Sequence, residues 1–239
     1  MNDSSADTSP ESGDDSEPHF LADPDVAEAF RRMIDEFSRE TDRGAILIAA
    51  DIVATHLGQV ITDLSPEAFK KKRVKSLLNY PGPLSTFSAR ADIAYMSGFI
   101  NDTAHRSIDL LRKLRNKAAH SQEAFNLQEH RATLREMCDL GPGIASAVSL
   151  FALDTIMDSF IDSLMTRGVN LETQLGSNPF STPAEVIDHL ASRPDVIATL
   201  ENRLPQMELA FGTWLLLGLL SHQKKGRTGQ RRKTARQET

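Results

Sequence analysis

The stretch RGAILIAADIVATHLGQVIT, from Arg43 to Thr62, decides the fold that this sequence predicts. Its first half is almost entirely apolar, and its length is that of a long helix rather than of a strand. A surface helix carries one apolar stripe, whereas a helix that is apolar nearly all round is buried by its neighbours. We therefore expect this helix at the centre of the core.

The remaining segments between the chain ends also favour helix. None of them alternates apolar and polar residues over the length of a strand, and Gly and Pro fall mainly between segments with helical spacing. The sequence predicts an all-α, single-domain, multi-helix bundle over residues 23–222. Beside the central helix, we expect helices at about 25–39, from Ser65 to 79, 85–97, from 101 or 102 to 120, 126–140, 144–166, 183–191 and 195–222, with a loop between the sixth and seventh of these.

Charge is concentrated at the two ends of the chain. The net charge is -6, but residues 1–30 hold nine acidic side chains and no Lys or Arg. Neither end has periodic apolar residues, so we expect residues 1–22 and 223–239 to be disordered. The basic end is a candidate nucleic-acid-binding arm, or alternatively a solubilising tail or one that folds back on the acidic end. Its candidate residues are Lys224, Lys225, Arg227, Arg231, Arg232, Lys233 and Arg236.

Composition points away from several classes of protein. The single cysteine, Cys138, excludes an intrachain disulfide. The first residues have neither the basic region nor the apolar region that is typical of a signal peptide, so we expect a cytoplasmic protein. The longest apolar run, Leu209–Leu220, is shorter than the roughly 20 residues of a membrane span, so we expect no membrane contact. The histidines lack metal-binding spacing, and Asp154, Asp158 and Asp162 fit a solvated helix face, so we expect no metal and no cofactor.

The stretch LRKLRNKAAH, from Leu111 to His120, contains the candidate site. On an ideal helix Arg115 lies about 40° from Leu111, inside the predicted buried face, whereas His120 lies near 180°. A buried Arg115 needs an acceptor, for which Asp51 in the central helix is the predicted structural partner. Arg115 and His120 can then cooperate only if the helix unwinds before His120 or if a second subunit contributes. Alternatively, the basic residues only stabilise the end of the helix through its dipole.

Three stretches together resemble a known family. RGAILIAADIVATHL, GPLSTFSARADIAYMSGFI and LLRKLRNKAAH, in that order, resemble the mannitol operon repressor (MltR) family, which is related to the HEPN superfamily of helical domains. The resemblance extends over about Glu28 to Phe125. It implies a regulatory protein that acts through a partner protein or a nucleic acid, RNA or DNA.

The same resemblance implies an alternative function. HEPN proteins with an intact R-x4-H motif are often metal-independent endoribonucleases that work as dimers. By that resemblance Arg115, Asn116 and His120 would be the catalytic residues, with His120 as general acid or base and Arg115 stabilising the phosphate charge. We therefore expect a homodimer in either case.

Overall fold

The described part of the chain is helical throughout. The computed structural model describes residues 24–37, 39–66, 68–69 and 71–237, with the side chains of the last helix described as far as Arg227. These residues form ten α-helices and no strand, which confirms the predicted all-α, multi-helix fold. The predicted acidic tail, residues 1–22, lies outside them. The helices are α1 Pro24–Phe37, α2 Asp42–Leu64, α3 Lys71–Leu78, α4 Phe87–Met96, α5 Asp102–His120, α6 Arg131–Met137 (preceded by a 3-10 turn, Leu127–His130), α7 Ile144–Leu175, α8 Pro183–Ala191, α9 Pro194–Glu201 and α10 Leu204–Gln237.

Helix α2 is the centre of the core, as its sequence predicts. It packs against α1, α4, α5 and α10, and Ile46, Val53 and Leu57 are fully buried along it. Burying each such side chain contributes about 1.5–3 kcal/mol. The hydroxyl of Thr41 accepts the amide of Gly44 at 3.2 Å and begins the helix. These contacts place α2 beside α4 and α5, with which it forms the candidate site.

Helix α5 also begins where the sequence predicts. The side chain of Asn101 accepts the amide N–H of Ala104 at 3.0 Å, so Asn101 is the N-cap and Asp102 is the first helical residue. The next residues that face inward, among them Ile108 and Leu111, are fully buried against α2 and α6. One face of α5 is thereby held against the core, and the opposite face is open.

Helix α3 begins later than predicted. Ser65 does not start it: its amide donates to the carbonyl of Thr62 and its hydroxyl donates to that of Ile61, so Ser65 ends α2. The amide of Phe69 then donates to the carbonyl of Pro66, which forms a turn before α3 starts at Lys71. Ser65, which the sequence predicts as the start of a helix, is here the end of the preceding helix.

Helix α7 continues past its predicted end. The predicted loop after Thr166 is wrong as far as Leu175, because α7 runs through Gly168 and stops at Gly176, which has a positive φ of 74°. One glycine within a helix costs only about 1 kcal/mol. A Cβ at Gly168 would overlap the side chain of Asn178, so this glycine serves close packing rather than termination.

The last predicted helix is two helices, α9 and α10. Pro205 has no amide hydrogen and its ring excludes a helical carbonyl at Glu201, which explains why α9 ends there and α10 begins at Leu204. The backbone of α10 also continues as a helix past the predicted end at residue 222 as far as Gln237, into the range 223–239 that we expect to be disordered. Extending an existing helix is far less costly than nucleating one, and Lys, Arg and Gln are good helix formers.

A buried ion pair joins α6, α7 and α10. Glu208 is 1% exposed and accepts two hydrogen bonds from Arg131, at 2.9 and 3.1 Å. The hydroxyl of Ser149 donates to the same carboxylate at 2.7 Å. A carboxylate removed from water needs such partners, since an unpaired buried charge is strongly unfavourable. The three helices are thus tied at one point, beyond which α7, α8 and α9 enclose a smaller apolar cluster of Ile156, Leu190 and Leu200.

Two helices, α2 and the Ile144–Glu172 part of α7, are long and apolar enough to cross a membrane by length and composition. In α2, more than half of the most apolar 18-residue segment is buried within the protein. In α7, only 17% of the corresponding segment is buried. The aspartates of the predicted solvated face, Asp154, Asp158 and Asp162, are exposed on α7. That face also exposes Leu150 and Phe151, at 63% and 60%.

Candidate functional site

An arginine-lined cleft opens between α2, the start of α4 and the last turns of α5. We call it the arginine cleft: it has a volume of about 540 Å³. Its lining includes Asp51 and Ala54 from α2, the segment 85–88 with Arg90, and Arg112, Arg115 and Asn116 from α5. Three arginines against one aspartate make the cleft positively charged.

Arg90 forms the wall of the cleft and holds three chain segments together. Its guanidinium donates to the carbonyls of Leu84 at 2.9 Å, Ala54 at 2.8 Å and Leu78 at 2.9 Å. Three of its five N–H groups are used in this way, and no carboxylate neutralises its charge among the described residues. Arg90 therefore fixes the geometry of the cleft and also adds positive charge to it.

Arg112 carries a charge that is only partly neutralised. Its guanidinium binds Asp109 Oδ1 at 2.6 and 3.1 Å, while Lys113 Nζ lies 2.9 Å from Asp109 Oδ2. The hydrogen bond from Lys113 is the main reason why the pKa of Asp109 is below its ordinary value, and Arg112 adds to the effect. Two cations share one carboxylate, so this edge of the cleft remains net positive.

Arg115 lies in the cleft and not in the core, which corrects the prediction from the helical wheel. It is exposed, and its only described side-chain contact is a donated hydrogen bond from Nη1 to Asn116 Oδ1 at 3.3 Å. Asp51 is exposed on the opposite wall, so the predicted buried pair of Arg115 and Asp51 is wrong. The core at this end of α5 is filled by Leu114 and Ala118 instead. Arg115 thus has no carboxylate partner among the described residues.

His120 does not line the cleft. Helix α5 stays intact through His120, where the Ser121 amide donates to the carbonyl of Lys117 at 2.9 Å. Arg43 then holds the next residues by donating to the carbonyls of Ser121 and Glu123. The helix therefore does not unwind before His120, and of the two predicted routes to a joint Arg115–His120 site only the second subunit remains.

The start of the predicted basic arm packs on the body of the protein. Lys224 Nζ lies 3.2 Å from Asp63 Oδ2 on α2, in a second groove that shares Arg90 with the arginine cleft. Arg227 lies against Gly98, where an added Cβ would come within 2.9 Å of its Nη2. Lys225 is exposed, and the side chains of Arg231, Arg232, Lys233 and Arg236 lie outside the described part of α10. Positive charge therefore continues from the cleft to the base of this extension.

The cleft joins the three stretches that carry the family resemblance. One contributes α2, another the segment that ends at Arg90, and the third the end of α5. Sequence reasoning identified Arg115 and Asn116 but missed Arg112, although residues at i, i+3 and i+4 share a helix face. It also missed Arg90, because two of its three acceptors, the carbonyls of Ala54 and Leu78, lie 36 and 12 residues away in sequence.

No group of three or more His, Cys, Asp or Glu side chains is placed to hold a metal ion within the described ranges. Comparison with protein families, with curated proteins and with solved structures finds no match to this chain. The chemistry of the arginine cleft is therefore the basis for a functional assignment. Its arginines suit an anion with several oxygen atoms, such as a phosphate.

Proposed function

We propose that this protein is a regulatory protein that acts by binding RNA, and that the arginine cleft holds phosphates of the RNA backbone. This is the type of role that the resemblance to the mannitol operon repressor family implies. The proposal rests on the position of Arg115. This residue lines a positively charged cleft and pairs with no carboxylate among the described residues. A guanidinium in that position offers paired N–H donors to phosphate.

Positively charged residues extend from the arginine cleft to α10, and this elongated arrangement favours a long ligand such as a nucleic-acid strand. Arg90 borders both the arginine cleft and the groove that contains Lys224, and α10 carries further basic residues beyond that groove. A single strand that lies along this line would meet the arginines of the cleft first and the mixed lysines and arginines of α10 later. Because such contacts release counterions from the nucleic acid, binding should weaken steeply as salt is added.

Fluorescence anisotropy with a labelled single-stranded RNA tests this proposal. Arg115→Met should weaken binding, and should reduce the slope of log affinity against log salt by about 0.7, the value for one lost phosphate contact. Arg193→Met is the matched control, because Arg193 is an exposed arginine that pairs with Asp195 at the start of α9. Equal affinities of the two variants would contradict the proposed place of binding. Failure of the unmodified protein to bind would contradict the proposal itself and would leave a protein partner.

A second candidate function is a metal-independent endoribonuclease with a site shared between two copies of the chain. The specific observation is that Arg115 and Asn116 line the cleft whereas His120 is exposed at the end of the same helix. In a homodimer, His120 of one copy would reach the arginine cleft of the other. His120 would then move the proton while Arg115 stabilises the charge on the phosphate under attack by the RNA 2′-hydroxyl.

Mixing two inactive variants separates this candidate from the binding protein. RNA is incubated in EDTA with His120→Ala, with Arg115→Ala, and with both after refolding together. A shared site predicts that each variant is inactive and that the mixture regains about a quarter of the activity, because half of the dimers are mixed and one of their two sites is intact. Absence of cleavage by the unmodified protein would rule out the enzyme.

A further inference from the structure

A second cavity, which we call the α7–α10 cavity, lies between α1, α7, α9 and α10. It has a volume of about 440 Å³, within the range of small-molecule sites and near the lower end of that range. It borders the smaller apolar cluster of Ile156, Leu190 and Leu200. None of its lining residues belongs to the arginine cleft, so the two sites are separate and can be tested one at a time.

One wall of this cavity is apolar. Ile156, Phe160 and Leu164 follow each other at four-residue spacing along α7 and face Leu200 of α9 and Met207 of α10 across the cavity. Ile156 is 6% exposed and Leu200 is 9% exposed, so this wall belongs to the protein interior. An occupant must present apolar surface to it.

The other edge of the cavity is polar and ends in positive charge. Ser159, Ser163 and Arg167 lie at i, i+4 and i+8 of α7, one row beside the apolar wall. Arg203 approaches from the turn before α10. Neither arginine forms an ion pair with a carboxylate among the described residues. An occupant that suits this edge carries one anionic head group.

We propose that this cavity is a binding site for a small molecule with an apolar body and one carboxylate, such as a medium-chain fatty acid. The apolar tail lies against Ile156, Phe160 and Leu200, and the carboxylate reaches Arg167 and Arg203. A carboxylate matches the planar N–H pairs of arginine, and the volume fits a medium rather than a long chain. In a regulatory protein such a ligand would be an effector.

Isothermal titration of the full chain with decanoate, below its micelle concentration, tests the site. We expect one decanoate per chain with an affinity in the micromolar range, and at least ten-fold weaker binding of decan-1-ol, which has the same chain without the charge. Decylammonium should bind no better than the alcohol. The double variant Arg167→Met with Arg203→Met should lose the preference for decanoate but keep the weak binding of the alcohol, while Arg193→Met should bind like the unmodified protein.

Three results would overturn the proposal. The first is an absence of decanoate binding at millimolar concentration, and the second is equal binding of decanoate and decan-1-ol. The third is an affinity that changes with protein concentration, which would mean that a second copy of the chain occupies the cavity. RNA binding by the arginine cleft is measured separately, so failure of this site leaves the proposed function untouched.

Discussion

Gly212 of α10 allows a close contact in the core between α10 and the end of α6. A Cβ at this position would overlap Cys138 Sγ and would come within 3.2 Å of Met137 Cε. Both neighbours are buried, Cys138 at 1% exposure, so they cannot move into solvent. Glycine is needed here for space and not for an unusual backbone angle.

Gly212→Ala should therefore destabilise the protein by about 1–3 kcal/mol, the usual cost of overpacking a core. The loss should be smaller when the same change is made in a Cys138→Ala background, because the sulfur that the new methyl group meets is gone. Urea unfolding of the four proteins of this cycle measures the coupling. Strictly additive losses would contradict the contact.

Cys138 should also make stability depend on alkaline pH. Burial raises the pKa of its thiol to about 12, while in the unfolded chain it returns to about 9. The folded state holds the proton more tightly, so the stability from this group is complete below about pH 9 and is lost as pH rises towards about 12.

Comparing Cys138→Ala with the unmodified protein isolates this effect from other titrating groups. Between about pH 8 and about pH 10.5 the unmodified protein should lose more unfolding free energy than the variant. Parallel curves for the two proteins would show that Cys138 ionises alike in both states.

The carboxylate of Glu208 holds the helices α6, α7 and α10 together. Glu208→Ala leaves Arg131 partly buried without its carboxylate and frees the hydroxyl of Ser149, so we expect a loss of about 3–5 kcal/mol. The matched control is Glu136→Ala, which breaks the exposed pair with Arg106. Thermal and urea unfolding should show a much smaller loss there, because exposed pairs contribute little.

The sequence predicts those helices whose ends are marked by local chemistry. Helix α8 begins at Pro183 as expected, and Thr182 and Glu185 exchange side-chain hydrogen bonds with each other's backbone at its start. The sequence does not predict the true end of α7, because Gly168 lies within the helix, where its lack of a side chain leaves room for Asn178, a tertiary contact. The extension of α10 was missed because a buried helix propagates into residues that would not form a helix alone.

The sequence predicts only part of the candidate site, because the rest of the site also depends on tertiary contacts. A helical wheel treats α5 as if it had the same neighbours along its whole length, but α2 and α4 leave a cleft beside its last turns. Arg115 falls on that open side, although its angle alone places it with Leu111. Arg90 and the α7–α10 cavity depend on segments far apart in sequence, and no local pattern marks them.

The surface of the molecule includes an apolar patch on the exposed face of α7. Leu150, Phe151 and Val169 are all more than half exposed, and exposed aspartates lie among them. Aspartates in the middle of a membrane span are costly, so we propose that this face contacts protein. A second copy of the chain is the partner that the expected homodimer supplies.

The double variant Leu150→Gln with Phe151→Gln should weaken self-association at least ten-fold. Removing apolar area from an interface lowers its affinity, whereas the same change on a free surface has little effect. Sedimentation equilibrium gives the dissociation constants, with Ile187→Gln as control because Ile187 is an apolar residue of α8 that is 49% exposed. An unchanged dissociation constant of the double variant would mean that the two copies bind each other through another surface. If the unmodified protein is a monomer, the predicted homodimer is contradicted.

The side chain of Gln206 lines the α7–α10 cavity and also binds the first residue of α2. Gln206 donates a hydrogen bond to one carboxylate oxygen of Asp42 at 2.8 Å, and the other oxygen accepts the amide N–H of Leu127. The next residue, Arg43, donates to the carbonyl of Ser121, which directly follows His120. A fatty acid that displaces Gln206 would therefore alter the support of α5. Thermodynamic linkage makes such coupling mutual: whatever factor the fatty acid imposes on the affinity for RNA, RNA must impose on the affinity for the fatty acid.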